Sequence, residues 1–281
     1  MYRIGVAGLV LTLVAWMPVA GPDGNRVVVQ PGVVALAIYD VDVAQESWSW
    51  SGRVDRGQHV EIKGINGEVR AERTSGNEVE VRAEKRGKKD DPSTVSIEVV
   101  EHENGVTICA VYPSKDEDEP NECRPGGRGK MNVKNNDVSV EFTVMVPAGV
   151  DFIGRTVNGA VEALGLDGNV KMFTVNGDID VSTTGLAQGS TVNGSITVSM
   201  DRADWDGKLD FTTVNGSVTL DMPGDLNCDV SVSTVNGHIS SDYPLTVEGR
   251  FSPRHLKGTI GSGGRALVIK TVNGSVNIRR S

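Results

Sequence analysis

Aromatic residues are scarce, at 5% of the 281-residue chain. That argues against a membrane-spanning β-barrel, whose strands need about 9–11 residues each and girdles of aromatic side chains. Histidine is scarcer still: His59, His102, His238 and His255 are scattered, with no metal-ligand spacing. No Gly-x-Ser-x-Gly segment offers a nucleophile elbow. Beyond the amino terminus no apolar run is long enough to cross a membrane. Positive charge is outweighed: the net charge is −9 and the isoelectric point about 5.0. This argues against nucleic acid as a partner. No cofactor is implied.

What the chain has is repetition. Thr-Val-Asn-Gly occurs six times, with its asparagines at Asn158, Asn176, Asn193, Asn215, Asn236 and Asn273. The steps are 18, 17, 22, 21 and 37 residues, and the long one points to a coil that has lost its signature near Gly258-Thr259-Ile260-Gly261. A period near 20 residues marks stacked repeats. Apolar residues alternate before each copy (Leu209 and Phe211, Leu267 and Ile269) and after it (Ile179 and Val181, Ile196 and Val198). Alternation of this kind reads as strands with one buried face. Each repeat is then two short strands and two turns.

Asn-Gly between such strands is also a hairpin signal, because both residues tolerate positive φ. An antiparallel meander would leave an apolar face, and no amphipathic helix is available to cover it. A parallel solenoid folds the two strands of a coil face to face and stacks Thr on Thr and Asn on Asn about 4.8 Å apart, which explains why the letters return. The fold class expected is all-β: a parallel β-solenoid of about seven to eight short coils with a small antiparallel β-sheet cap or insertion. The structural turns are Asn158-Gly159, Asn176-Gly177, Asn193-Gly194, Asn215-Gly216, Asn236-Gly237 and Asn273-Gly274. Expected stack order follows chain order, with Asn215 between Asn193 and Asn236. The Val after each Thr is expected to turn inward, and Gly216 to hold a strained backbone conformation.

A seventh, altered copy lies upstream: Val60, Ile62, Gly64-Ile65-Asn66-Gly67, Val69 and Ala71 keep the register. The expected organisation is a signal peptide over 1–21, a leader over 22–58, a first coil plus antiparallel cap over 59–150, and repeats over 151–281. Arg3, the apolar run Ile4–Trp16 and Pro18-Val19-Ala20-Gly21 carry the signal reading; an uncleaved anchor is the alternative. Trp48 and Trp50 are expected on one strand face. Four alternating segments within 78–150 form the cap, with a polar loop from Ser114 to Asn136.

With an export signal, Cys109 and Cys123 are expected to form a disulfide that pins this loop, worth about 3 kcal/mol, while Cys228 is a buried free thiol. Lys115-Asp116-Glu117-Asp118-Glu119 lacks calcium-loop spacing and reads as a solvated charge run. Gly126-Gly127-Arg128-Gly129-Lys130 lacks phosphate-loop spacing. Asn193, Asn215 and Asn273 fit Asn-x-Ser sequons that the turns explain without glycans. Outward acids such as Asp178, Asp180, Asp201, Asp204, Asp206 and Asp210 read as solubility rather than as a polysaccharide-cleaving carboxylate set.

The repeat Thr-Val-Asn-Gly-x-[Ile/Val]-x-[Val/Leu], the upstream Gly64-Ile65-Asn66-Gly67 and the segment Val146-Pro147-Ala148-Gly149-Val150 resemble a bacterial putative-adhesin family of unknown function. The resemblance covers about 60–281. It implies an exported or envelope-associated β-solenoid, some of whose relatives are linked to envelope stress, and carries over no catalytic residue. The functional expectation is a non-enzymatic envelope protein, in the periplasm or at the cell surface, that binds an envelope polysaccharide, protein or peptide. The rivals are a structural or stress-protective component binding cationic peptides, and a polysaccharide-active β-helix enzyme.

Overall fold

Alternating segments become strands throughout the computed structural model, which describes residues 44–116, 118–127, 131–133, 135–247 and 254–281. The expected signal peptide and most of the expected leader lie outside the described residues. The first strands are β1 (Ala44–Gly52), β2 (His59–Lys63), β3 (Val69–Arg73), β4 (Val79–Gly87), β5 (Ser96–His102), β6 (Gly105–Val111) and β7 (Ser139–Val146). The repeats supply β8 (Asp151–Arg155), β9 (Val161–Leu166), β10 (Val170–Phe173), β11 (Ile179–Thr183), β12 (Ala187–Ser190), β13 (Ile196–Met200), β14 (Lys208–Thr212) and β15 (Val218–Met222). The carboxy-terminal part adds β16 (Cys228–Ser233), β17 (Ile239–Ser241), β18 (Leu245–Val247), β19 (His255–Ile260), β20 (Ala266–Lys270) and β21 (Val276–Arg280).

Two sheets result. One orders its strands β1-β4-β7-β3-β9-β11-β13-β15-β21-β17, the other β18-β19-β16-β20-β14-β12-β10-β8-β2-β6-β5. Each repeat gives one strand to each sheet, and successive repeats pair in parallel and in register, as in Ile179↔Ile196↔Val218↔Val276. Every second residue points between the sheets, so Val60, Val170, Leu209, Val218 and Val276 are all buried. Bulk is matched across this layer. A Cβ on Gly154 would sit 2.7 Å from Val161 Cγ1 and 2.9 Å from Met172 Sδ, so glycine makes room for its larger neighbours.

The amino-terminal cap is not a separate sheet laid over the coils. Strands β6 and β7 run parallel to β2 and β3 and make one more coil, closed by the long loop instead of Asn-Gly. Tyr112 Oη donates to the Val138 carbonyl at 2.9 Å and seals that end of the layer. Strands β4 and β1 then extend one sheet, and β5 the other, in antiparallel fashion. The cap thus continues both sheets edge to edge. Trp48 and Trp50 share a face of β1 and pack against the core.

At the other end chain order and stack order diverge. Asn215 bridges Asn193 and Asn273, and Asn273 in turn bridges Asn236. The final coil, β20–β21, is therefore inserted between β14–β15 and β16–β17. The expected contact of Asn215 with Asn236 is wrong, because six identical motifs carry no label for their rank. Gly258–Gly261 is no degenerate coil either. Gly258-Thr259-Ile260 close β19 and Gly261 opens the turn after it; β19 runs antiparallel to β16 and is followed at the edge by β18. The long step between motifs holds this edge pair rather than a lost repeat.

Candidate functional site

The most regular surface of the molecule is the edge formed by the Thr-Val-Asn-Gly turns. Each Asn Nδ2 donates to the Oδ1 of the preceding rung at 2.7–2.8 Å, through the stack order Asn66, Asn158, Asn176, Asn193, Asn215, Asn273 and Asn236. Inside it runs a second ladder. The Thr hydroxyls donate to the glycine carbonyl of the neighbouring rung, as in Thr174 to Gly159 (3.0 Å), Thr213 to Gly194 (2.8 Å) and Thr271 to Gly216 (2.8 Å). These bonds satisfy the hydroxyls where they are buried.

The side chains of Thr and Val are therefore placed oppositely to expectation. The six Thr are 1–7% exposed, whereas Val157, Val175, Val192, Val214, Val235 and Val272 are 37–51% exposed. The hydroxyl is the group with a partner inside the corner, so Thr takes the inward position and Val is turned out.

Glycine is needed for a reason other than strain. Gly67 has a φ of +121°, but Gly177, Gly194, Gly216, Gly237 and Gly274 are not in the positive-φ region. What excludes a side chain is proximity. A Cβ on Gly216 would lie 1.9 Å from the Gly194 carbonyl oxygen, and one on Gly274 would lie 2.0 Å from that of Gly216. The expected strained backbone at Gly216 is replaced by close contact between coils.

The edge is also uncharged at its centre. The residue after each glycine is Ser195, Ser217 and Ser275 in three successive rungs, and their hydroxyls accept backbone N–H bonds from the next rung. His238 follows the last rung and is exposed. The sequon asparagines Asn193, Asn215 and Asn273 are all engaged in the ladder.

A second polar centre lies on the outer face beneath the Ser114–Asn136 loop. Cys109 and Cys123 are joined, with their Cα atoms 5.5 Å apart. Glu61 is fully buried there and accepts from Arg155 Nε (2.8 Å), the Gly126 amide (2.7 Å) and Thr107 Oγ1 (3.1 Å). Burial alone would raise its pKa. The Arg155 bond, the Gly126 amide and the Lys63 charge outweigh that, and the carboxyl is held below its ordinary value. Lys63 in turn donates to the Arg124 and Gly126 carbonyls, and Arg155 stacks over Phe173. These groups lock the loop to the sheet. Sequence reasoning missed this centre because Glu61, between Val60 and Ile62, has the pattern of an ordinary outward residue. Only the returning loop buries it.

His59 and His102, distant in sequence, face each other across Gly105 with ring centroids 5.3 Å apart. Burial, and then the neighbouring His102, lower the His59 pKa. No group of three or more His, Cys, Asp or Glu that could hold a metal occurs among the described residues. The acids expected outside do lie outside: Asp178, Asp180, Asp201, Asp204 and Asp206 are exposed and Asp210 half-buried. Arg202 pairs with Asp204 and Lys208 with Asp210, which mutes part of that charge. Cys228 is buried and free, its thiol pushed up to about 12 by burial and by Asp229.

Among solved structures, a putative cell adhesion protein from Clostridium sporogenes is similar over 84% of this chain and 100% of that one, with 11% identity and a TM-score of 0.41. A putative adhesin from Bacteroides fragilis is similar over 84% and 97%, with 10% identity and a TM-score of 0.29. A putative lipid binding protein from Parabacteroides distasonis is similar over 85% and 97%, with 11% identity and a TM-score of 0.26. No curated protein matches the chain. The repeats match the family model described as Toastrack DUF4097, over residues 160–279.

Proposed function

We propose that this is an exported, non-enzymatic surface-binding protein and that the Thr-Val-Asn-Gly edge is its contact surface. The observation that carries the reading is the in-register row of six exposed valines beside hydrogen-bonded asparagines. Single exposed apolar residues are ordinary, whereas a contiguous apolar row on a rigid frame marks an interaction site. The disulfide suits an oxidising compartment. The acidic positions support the cationic-peptide alternative less well, because Arg202 and Lys208 already sit on two of the acids.

The test uses the full chain and isolated envelope fractions. The wild-type protein is expected to sediment with the envelope. A double variant with Val175→Asp and Val272→Asp, its unfolding midpoint unchanged, is expected to stay in solution. Equal sedimentation of the two proteins would remove the edge as the contact surface.

A further inference from the structure

Resting on that reading of the edge, we propose that its ligand is a single chain of an uncharged glycan, laid lengthwise with about one sugar per rung. Three features of the stripe select this occupant: its dimensions, its spacing and its charge.

Seven rungs about 4.8 Å apart make a stripe about 29 Å long, and its two residues, Val and Asn, span about 7 Å across. The footprint is about 200 Å², a quarter of the roughly 800 Å² per partner that a stable protein–protein interface needs. A globular partner, a second copy included, would find too little area. A linear polymer would be matched along its length.

Spacing separates the polymers. In an extended peptide, side chains on one face recur about every 6.7 Å, out of phase with the rungs from the second contact onward. Pyranose rings joined through β-1,4 bonds advance by nearly one rung each, so one ring falls beside each rung, with alternate rings turned over. The chemistry also corresponds. Val192 and Val214 offer methyl groups to the C–H face of a sugar ring. An amide has two N–H donors and two acceptor lone pairs, and the ladder uses one of each. Asn193 and Asn215 each keep one donor and one acceptor for hydroxyls.

Charge sets the class of glycan. From Thr to Ser the central rungs carry no cation, and Lys270, just before Thr271, is the one basic residue adjoining them in sequence. In a chain of net charge −9, an acidic polymer would be repelled.

The experiment titrates the full chain with β-1,4-linked glucose and N-acetylglucosamine oligomers, from disaccharide to octasaccharide, and with polygalacturonate. Affinity for at least one uncharged series is expected to rise with each added sugar and to level off near the heptasaccharide. Polygalacturonate is expected not to compete. A double variant with Val192→Glu and Val214→Glu, folded as judged by its unfolding midpoint, should bind the hexasaccharide at least about tenfold more weakly, a loss of about 1.4 kcal/mol. The inference is overturned if neither series binds, if a hexasaccharide binds no tighter than a disaccharide, or if polygalacturonate is preferred. In those cases the surface-binding reading still stands if this variant no longer sediments with envelope fractions. If the variant sediments and binds as the wild type does, both fall.

Discussion

Replacing one glycine of the turn ladder by alanine probes both the packing and the order of the coils. The added Cβ would lie 1.9 Å from the Gly194 carbonyl oxygen in Gly216→Ala, 2.0 Å from that of Gly216 in Gly274→Ala, and 1.9 Å from that of Gly274 in Gly237→Ala. Locally the three insults are equal. Their surroundings differ, because Gly216 and Gly274 lie between two coils while Gly237 belongs to the last rung of the stack. An interior coil cannot retreat without breaking bonds on its other side, such as Gly216 N–H to the Asn273 carbonyl (3.0 Å) or Gly274 N–H to the Asn236 carbonyl (3.0 Å). Overpacking costs about 1–3 kcal/mol. Loss of the Thr hydroxyl bond to the displaced carbonyl adds about 1 kcal/mol. The expected losses are about 2–4 kcal/mol for Gly216→Ala and Gly274→Ala, and about 1–2 kcal/mol for Gly237→Ala, which can move outward. Urea unfolding followed by circular dichroism, with unchanged slope, measures all three. Chain order alone would make Gly274, in the last motif, the tolerant position. If Gly274→Ala proves as mild as Gly237→Ala, the insertion of the final coil is wrong.

Two titratable groups give further tests. The Cys228 thiol ionises at about 12 when folded, against 9.0 for a free thiol, so its contribution is full below pH 9 and lost as pH rises toward 12. Cys228→Ala should flatten the alkaline fall in stability, leaving the part due to Tyr112 and Tyr243, also pushed up to about 12; an unchanged slope would contradict the buried thiol. Glu61 has a lowered pKa, so it stabilises the fold above the ordinary carboxylate range and the effect is lost as pH falls through its folded value. Glu61→Gln should cost about 2–3 kcal/mol near neutrality, toward the lower end for a buried pair because Arg155 is part-exposed, and should lessen acid sensitivity. A variant as stable as wild type at neutral pH would show that this carboxylate does not hold the loop.

Much of the architecture was legible because stacking in register demands the same residue at the same place in every coil. The asparagine positions, the alternating core residues and the free, buried Cys228 could all be read that way. Three things could not. The inward turn of Thr depends on a carbonyl of the next coil, a partner absent from any local pattern. The use of glycine looked like a matter of φ, because Asn-Gly also serves hairpins, yet at Gly216 it is a matter of distance to Gly194. The order of the last coils depends on which identical motif meets which, and identity erases that information. The candidate edge itself was visible as a repeat. Its apolar exposure was hidden behind the assumption that valine belongs inside.

The inserted final coil also bears on how the chain reaches this state. The three successive steps from Asn158 to Asn215 span 17–22 residues of chain, but Asn215 and Asn273 are 58 apart. Closing that longer loop costs about 0.9 kcal/mol more, at roughly 0.6 kcal/mol per doubling of length. More consequential than the cost is the timing. Strands β14 and β16 meet only through β20, and β15 and β17 only through β21. Until β20 and β21 have been made, the growing chain holds an unfilled slot with a bare strand edge on each side. The coils from β8–β9 to β14–β15 can zip one after another in chain order, yet completion waits for β20 and β21. Without β20 and β21, the edges of β14–β15 and β16–β17 would stay open to pairing with other chains.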